Sequence, residues 1–246
     1  MCGRYTQTAS GEAIAKAFGL KSAPDVQPRY NIAPTQAISA IVQSSYHQSE
    51  STDQRPEQHP EQHLEEPTGR EHRFFQWGLV PSWSKDPKIG SRMINARSET
   101  VAEKPSFRAA LKRRRCLVLA DGFYEWQRTN GKKQPYYIQV EDQDIFGFAG
   151  LWETWQNGEG SHLETCTILT TEPNGLMETI HNRMPVIIHP EDFDLWLDPS
   201  LQDGRHVQHL LRPYEDEAMD AYAVSTAVNN PRNEQPECIE PIADGR

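Results

Sequence analysis

Six short apolar runs, each the length of a β-strand, constrain the fold of this chain more than any other feature. They lie at residues 74–79, 116–119, 136–140, 145–149, 166–170 and 186–188, and residues 37–42 have the same character. β-Branched and aromatic residues fill these runs, and turn signals such as Asn130-Gly131 separate them. Strands outnumber helices and do not alternate with them. We therefore predict an α+β fold, with an antiparallel, barrel-like β-sheet core and a few flanking helices.

Four segments have the capping residues or apolar spacing of short helices. Ser10 can cap a helix that runs to Phe18, and Gly19 can end it. The other three helices are predicted at residues 174–180, 190–197 and 201–211. Pro190 lies near the start of the second of these, where its missing N–H costs nothing.

Two polar segments interrupt and follow the predicted core. Residues 44–73 hold seven acidic and three basic side chains and almost no apolar ones. Such a segment cannot bury enough surface to offset the entropy of ordering it, so we predict a disordered insert between two strands. The chain is again polar from Asn230, and we expect residues 230–246 to form a fraying tail. The remainder, residues 1–229, is predicted to be a single domain.

The charge of the chain is unevenly distributed. The net charge of −10 resides in residues 44–73, which carry −4, and in residues 190–246, which carry −9, so the remainder carries +3. A basic run at residues 112–115 lies in that remainder. A locally basic face is compatible with contacts to phosphate groups, although an ordinary solvated surface explains the charge equally well.

The sequence indicates neither a membrane span nor a metal site. No stretch reaches the roughly 18 apolar residues that cross a bilayer, and the N-terminus lacks an apolar signal core, so we expect a soluble, cytoplasmic protein. The widely spaced cysteines form no CxxC pair, which argues against both a zinc site and a disulfide framework. No cofactor is predicted.

Cys2 has a chemistry that no internal residue shares. The initiator methionine is normally removed before a small second residue, and the mature chain would then begin with a thiol and an amine on adjacent carbons. The α-amine has a pKa of about 7.7–8.0 and the thiol a pKa of about 8.5, so both are partly nucleophilic near neutrality. The amine can form an imine with an aldehyde, and the thiol can then close a five-membered thiazolidine. An incidental cysteine at position two is the alternative.

Four motifs place a polar side chain among apolar neighbours. They are RYNIAP with Asn31, INARSET with Asn95 and Arg97, ADGFYEW with Glu125, and IHNRMP with His181. An unpaired polar group is costly in such surroundings. Each motif taken alone is compatible with a buried polar group that is satisfied inside the core.

Taken together, the motifs resemble those of the SRAP family, the SOS-response-associated peptidases that act as abasic-site-processing DNA–protein crosslinkers. MCGRY, RYNIAPTQ, WGLVPSW, INARSET, RRCLVLADGFYEW, AGLWE and IHNRMPVII occur in the family's order, with the first at the N-terminus. The resemblance runs from Met1 to about Trp196, interrupted by the insert. So many ordered motifs are far more specific than a single pattern match.

The resemblance implies an SRAP-like fold and a catalytic set of four residues. Cys2, after removal of Met1, would form the thiazolidine with the sugar aldehyde of an abasic site. Asn95 would orient the thiol and amine of Cys2. Glu125 would shuttle protons at the amine, and His181 would assist opening of the sugar ring. Such steps need a carboxylate and an imidazole that exchange protons near neutral pH.

The resemblance also implies a DNA substrate. We expect single-stranded or junction DNA, because the sugar of a duplex could not reach a buried terminus without opening. Six residues are candidate DNA contacts, four for phosphates and two as wedges against bases: Arg4, Arg97, Arg108, Arg183, Pro34 and Trp77. A core aromatic is the alternative for Trp77. Autoproteolytic loss of Met1, weak lyase activity, replication-fork partners and, in a bacterium, association with the nucleoid are further expectations.

Two other classes of protein remain open at this stage. N-terminal-nucleophile glutamine amidotransferases also begin Met-Cys-Gly, but this chain has no second synthetase domain and their pattern has no place for GFYEW. A non-catalytic reader of modified or single-stranded DNA would bind without Cys2.

Overall fold

A computed structural model describes residues 2–44, 69–129, 131–157 and 160–242 of the chain. Strands dominate this part of the chain: β1 (Tyr5–Gln7), β2 (Arg29–Ile32), β3 (Ala37–Gln43), β4 (Arg70–Trp77), β5 (Asn95–Arg97), β6 (Arg115–Ala120), β7 (Gly122–Thr129), β8 (Lys132–Val140), β9 (Phe146–Gln156), β10 (His162–Thr171), β11 (Met184–Pro185), β12 (Ile187–Ile188) and β13 (Met219–Ala223). The helices are short: α1 (Gly11–Phe18), α2 (Arg108–Arg113), α3 (Gly175–Glu178) and α4 (Phe193–Leu197).

Five strands close into a barrel. β4 pairs with β3, β3 with β6, β6 with β9, β9 with β10, and β10 returns to β4. The first four pairings are antiparallel, whereas β10 runs parallel to β4 and also to β5. The predicted α+β class and barrel-like core are therefore confirmed, with a correction: the sheet is mixed rather than wholly antiparallel. A hairpin joins β9 to β10, whereas β4 and β5 are far from β10 in the sequence, which allows these two pairs to be parallel.

A second sheet carries the N-terminus. Its strand order is β13-β8-β7-β1-β2, and all of its pairings are antiparallel. Asp121, the single residue between β6 and β7, fixes β1 in this sheet. Its carboxylate accepts hydrogen bonds from the hydroxyl of Thr6 and from the backbone N–H and hydroxyl of Thr8, the last at 2.8 Å. It also accepts from the backbone N–H of Ala9 at 3.1 Å. The strand that bears the N-terminus is thus tied to the junction of the two sheets.

The predicted helices are confirmed at three of four positions. Ser10 caps α1, with its hydroxyl accepting from Ala13 N, and Gly19 ends the helix at φ 65°. The helices predicted at 174–180 and 190–197 correspond to α3 and to a 3₁₀ turn that continues into α4. The helix predicted at 201–211 is wrong: two separate 3₁₀ turns, Gly204–His206 and Gln208–Leu210, occupy this segment.

Both predicted polar segments need correction. β4 begins at Arg70, so residues 70–73, assigned to the insert, are strand residues paired with residues 40–43 of β3. Pairing with β3 orders these residues, although their polar composition alone would not. Residues 45–68 of the predicted insert lie outside the described residues.

The fraying tail is wrong for residues 230–242. Cys238 is buried, the 3₁₀ turn Pro236–Ile239 is formed, and Pro241 bridges to Val224. Side chains of the folded domain bind the backbone of this segment, and that contact cannot be read from its composition. Within the described residues, no helix is long and apolar enough to cross a membrane.

Candidate active site

The N-terminal segment lies along β7. Tyr5 pairs with Phe123, and Tyr124 N donates to Arg4 O at 2.9 Å. This hydrogen bond extends the antiparallel alignment one residue beyond β1, toward Glu125. Cys2 lies close enough to the carboxylate of the GFYEW motif for its charge to act on the Cys2 thiol.

Cys2 is completely buried, at 0% exposure, within the core cluster that the barrel shares with the second sheet. Burial raises the pKa of its thiol well above the usual range, and the negative charge of Glu125 raises that pKa further. A backbone hydrogen bond from Arg4 acts in the opposite direction. The sulfur is therefore held as the neutral thiol near neutral pH.

Asn95 reaches the same segment from the barrel. β5 pairs in parallel with β10, with Asn95 opposite Ile168. Its side-chain Nδ2 donates to the backbone carbonyl of Cys2 at 2.7 Å. This contact holds the peptide group of Cys2 and joins two motifs that lie 93 residues apart.

Glu125 and His181 form a carboxylate–imidazole pair. Their closest atoms, Glu125 Oε2 and His181 Nε2, are 3.9 Å apart, and Glu125 is only 3% exposed. The backbone N–H of Arg183 donates to His181 Nδ1 at 3.1 Å. The carbonyl oxygen of Arg183 also lies 3.2 Å from Nδ1, so the backbone of Arg183 orients the ring with Nε2 facing the carboxylate. An imidazole and a carboxylate that face each other form a candidate acid–base pair.

An open pocket of about 480 Å³ adjoins His181. Its lining is drawn from the end of β7 and from the segment around α3: Trp126, Gln127, Arg128, Glu178, Thr179, Ile180, His181 and Asn182. The pocket gives solvent access to the imidazole side of the site.

The arginine candidates for DNA contact are not equivalent. Arg183 forms an ion pair with Glu99 at 2.5 Å and donates to Thr170 O at 2.6 Å. The pKa of Glu99 is lowered, mainly by its hydrogen bond with Arg183 and in part by nearby Arg97, which is itself exposed. Arg97 and Arg183 thus converge near the site.

The other two arginines are placed differently. Arg108 is exposed at the start of α2, whose buried side chains belong to a different core cluster from that of Cys2. No contact joins it to the candidate active site. The guanidinium of Arg4 donates inward, at 2.7 Å to both Asn31 Oδ1 and Val228 O.

The predicted wedge residues are only partly accessible. Trp77 is 0% exposed and donates from Nε1 to Ile94 O at 2.8 Å, so its role as a wedge is wrong for this conformation and the core alternative holds. Pro34 is half-buried in a turn next to the backbone of Trp77. Trp83, which was not predicted as a DNA contact, is 61% exposed between β4 and β5. Its position in the sequence indicated this exposure, because the second tryptophan of WGLVPSW follows the predicted strand at residues 74–79 and so falls in a loop.

The sequence matches, over residues 1–231, the family described as SOS response associated peptidase (SRAP). The chain belongs to the SRAP family. This membership confirms the resemblance drawn from the ordered motifs, and it sets the chain apart from the N-terminal-nucleophile amidotransferases.

Several relatives match nearly the whole chain. The abasic site processing protein YoqW of Bacillus subtilis (strain 168) is 43% identical over 246 residues, covering 98% of this chain and 99% of the relative. The abasic site processing protein HMCES of Xenopus tropicalis is 34% identical over 280 residues, covering 98% of this chain and 78% of the relative. A crystal structure of a protein from Bacteroides thetaiotaomicron superposes with a TM-score of 0.81 at 28% identity, covering 98% and 100% of the two chains.

Proposed function

We propose that this SRAP protein captures abasic sites in single-stranded DNA as a thiazolidine on Cys2, after Met1 has been removed. One observation supports this proposal above all. The residue that becomes the N-terminal aminothiol is gathered with an amide, a carboxylate and an imidazole from three distant motifs. The names of relatives such as YoqW and HMCES indicate the same substrate class.

The reaction begins with opening of the abasic sugar. An abasic sugar is mostly closed, and exposing its aldehyde requires one proton to leave the hydroxyl at C1′ and another to reach the ring oxygen. We assign this exchange to His181 and Glu125, since Nε2 of the imidazole faces the carboxylate at 3.9 Å. The Cys2 amine then attacks C1′ to give a carbinolamine, which loses water to form an imine.

The thiol completes the reaction. The Cys2 sulfur attacks the imine carbon, and its proton passes to the imine nitrogen. The overall change joins one aldehyde to one aminothiol and releases one water molecule. A thiol and an amine on the same residue meet the imine carbon without a further search, which makes ring closure an intramolecular step. No external oxidant or metal is needed for the balance.

Two minor activities follow from the same groups. The imine acidifies the sugar C2′ proton, so removal of that proton by Glu125 or His181 would cleave the strand by β-elimination and give weak lyase activity. The same carboxylate lies beside the position where hydrolysis must release Met1, which supports an autoproteolytic origin of the mature terminus.

Exposed cations such as Arg97 would hold the flanking phosphates.

The proposal is tested by comparing the processed wild-type chain with the variant Glu125→Gln. The processed chain should give, with an abasic single-stranded oligonucleotide, an adduct stable to denaturing electrophoresis whose mass equals the two molecules less one water. Glu125→Gln keeps the size and polarity of the side chain but not its proton transfer, so single-turnover adduct formation should slow by about 10²–10⁴-fold. Noncovalent affinity should stay unchanged.

Two results would count against the proposal. An unchanged single-turnover rate in Glu125→Gln would remove the carboxylate from the mechanism. Undiminished retention of DNA by Cys2→Ala under denaturing conditions would show that Cys2 is not the point of attachment.

A further inference from the structure

Asn31, in the RYNIAP motif, is a buried polar residue that the proposed chemistry does not use. Its side chain is 0% exposed. Its Oδ1 accepts from Arg4 Nη1 at 2.7 Å. Its Nδ2 donates to three backbone carbonyls of one segment, those of Val228, Asn230 and Asn233, at 3.2, 3.0 and 2.8 Å. Every polar atom of the side chain is therefore engaged.

The segment that Asn31 binds, residues 226–238, is here called the C-terminal strap. The carboxylate of Glu234 accepts from the backbone N–H groups of Tyr30 at 2.6 Å and Asn31 at 2.8 Å, and it pairs with Arg29 at 3.2 Å. Asn229 Oδ1 accepts from Trp126 Nε1 at 2.7 Å. The strap thus binds both β2, an edge strand of the second sheet, and β7.

The guanidinium of Arg4 is held between Asn31 and the strap. Nη1 donates to Asn31 Oδ1 and to Val228 O, each at 2.7 Å, and the group lies 6.0 Å from the ring centroid of Trp126. Burial lowers the pKa of Arg4, which reflects an environment with little water. A side chain tied in this way is poorly placed to reach out to a phosphate.

The backbone of Arg4 adjoins the reacting residue. Its carbonyl accepts from Tyr124 N at 2.9 Å, and only Gly3 separates Arg4 from Cys2 along the chain. A backbone hydrogen bond from Arg4 is also among the influences on the pKa of the Cys2 thiol. The position of the Cys2 sulfur therefore depends on the placement of Arg4. Arg4 is in turn placed by Asn31 and the strap.

We propose that Asn31 and the C-terminal strap position Cys2 for ring closure by holding Arg4, and that Arg4 is a positioning residue rather than a phosphate ligand. This inference rests on the proposed function. Losing the Asn31 side chain frees Arg4, so the thiol loses its fixed orientation while the amine keeps its own reactivity. The imine should then form and accumulate, because the displaced thiol closes the ring slowly.

The test measures how the adduct divides between imine and thiazolidine. The two have equal masses, and borohydride adds two hydrogens to the imine alone, so mass spectrometry separates them after quenching at early times. Processed wild type should give mostly thiazolidine. In Asn31→Ala and Arg4→Ala the reducible fraction should rise several-fold, with thiazolidine formation slowed on the order of 10-fold, since small misplacements of a reacting group are costly.

A matched control separates positioning from general loosening. Gln134 on β8 also donates from its side chain to backbone near the C-terminus, at 2.8 Å to Val224 O, but it makes no contact with Arg4. In Gln134→Ala the adduct should partition between imine and thiazolidine as it does in wild type. The double variant Arg4→Ala/Asn31→Ala should show the same reducible fraction as Arg4→Ala alone, because both changes remove the same contact between Asn31 and Arg4.

The outcomes distinguish this inference from the function on which it rests. Wild type that forms no adduct overturns the proposed function and this inference with it. Wild type that forms thiazolidine while Arg4→Ala and Asn31→Ala divide the adduct normally overturns the inference alone. So does a large loss of noncovalent affinity for single-stranded DNA in Arg4→Ala but not in Asn31→Ala, which would make Arg4 a phosphate ligand. If Asn31→Ala does not fold, Arg4→Ala carries the same test.

Discussion

At the scale of single residues, the burial of Cys2 bears on the order of steps in the proposed reaction. Desolvation raises the pKa of the thiol well above its usual range, so the sulfur stays protonated through neutral pH and is a weak initiating nucleophile. An α-amine has an ordinary pKa of about 7.7–8.0 and is partly unprotonated there. We therefore expect the amine to attack first and the thiol to close the ring afterwards.

Two tryptophans of one motif have opposite environments, and this difference can be tested. Trp77 is 0% exposed, so Trp77→Ala should lower the free energy of unfolding by about 3–5 kcal/mol, as measured by urea denaturation. Trp83 is 61% exposed, so Trp83→Ala should leave that free energy nearly unchanged. If its ring stacks on a base, Trp83→Ala should weaken noncovalent binding of single-stranded DNA by about 1–3 kcal/mol.

Fluorescence anisotropy with an oligonucleotide that lacks an abasic site gives the affinity for both variants. Wild-type affinity in Trp83→Ala would exclude a base platform at this position. A folded Trp77→Ala protein of wild-type stability would contradict the assignment of Trp77 to the core.

At the scale of elements, the two ends of the insert are held together by paired strands. β3 and β4 pair up to Gln43 and Arg70, and Ser44 N donates to Gly69 O at 3.2 Å. Because this pairing already fixes the ends, the length of chain between them has little effect on the entropy of closing it. Replacing residues 45–68 with a short Gly/Ser link should leave the rate of adduct formation within a few-fold of wild type.

A longer deletion provides the control for this prediction. Removing residues 45–73 also deletes the first half of β4, including Arg70, which donates to Phe18 O at 3.0 Å and pairs with Asp194 at 2.7 Å. That protein should lose cooperative thermal unfolding. Loss of the fold in the shorter deletion would show that residues 45–68 are structurally required.

The sequence predicted the long barrel strands because their apolar runs are strong local signals. It missed β1, β2 and β5, which are only three or four residues long, and their pairing partners rather than their composition make them strands. β7 was read as a motif rather than as a strand because Glu125 interrupts its apolar pattern. The order of motifs predicted a shared site for Cys2, Asn95, Glu125 and His181.

Other features of the site could not be read from the sequence because they depend on which side chains are buried. Nothing local in the sequence indicates that Arg4 turns inward. The helix at 201–211 was predicted from apolar spacing that two 3₁₀ turns also satisfy.

At the scale of the whole molecule, the basic face is smaller than the sequence suggested. Arg115 is buried, and its guanidinium donates to five backbone carbonyls, those of Leu111, Lys112, Trp196, Asp198 and Leu201. Arg114 pairs with Glu153 at 2.7 Å. Half of the basic run thus stabilises the fold, and we expect DNA contacts mainly from cations nearer the site, such as Arg97.

The N-terminal segment and the C-terminal strap meet around Cys2. The N-terminal segment supplies Cys2, and the strap binds Arg4, two residues further along the chain. A thiazolidine requires an amine and a thiol on one residue, and any residue before Cys2 converts that amine into an amide, which cannot attack an aldehyde. The proposed reaction therefore depends on the state of a single terminal nitrogen.

The most direct test compares two proteins that differ only in whether one alanine precedes Cys2 in the mature chain. Each is incubated with single-stranded DNA that contains an abasic site, and the yield of heat-stable adduct is measured on a denaturing gel. The account predicts adduct from the chain that begins with Cys2 and none from the extended chain. Equal yields from both proteins would contradict it, because the N-terminal aminothiol would then not be the reacting group.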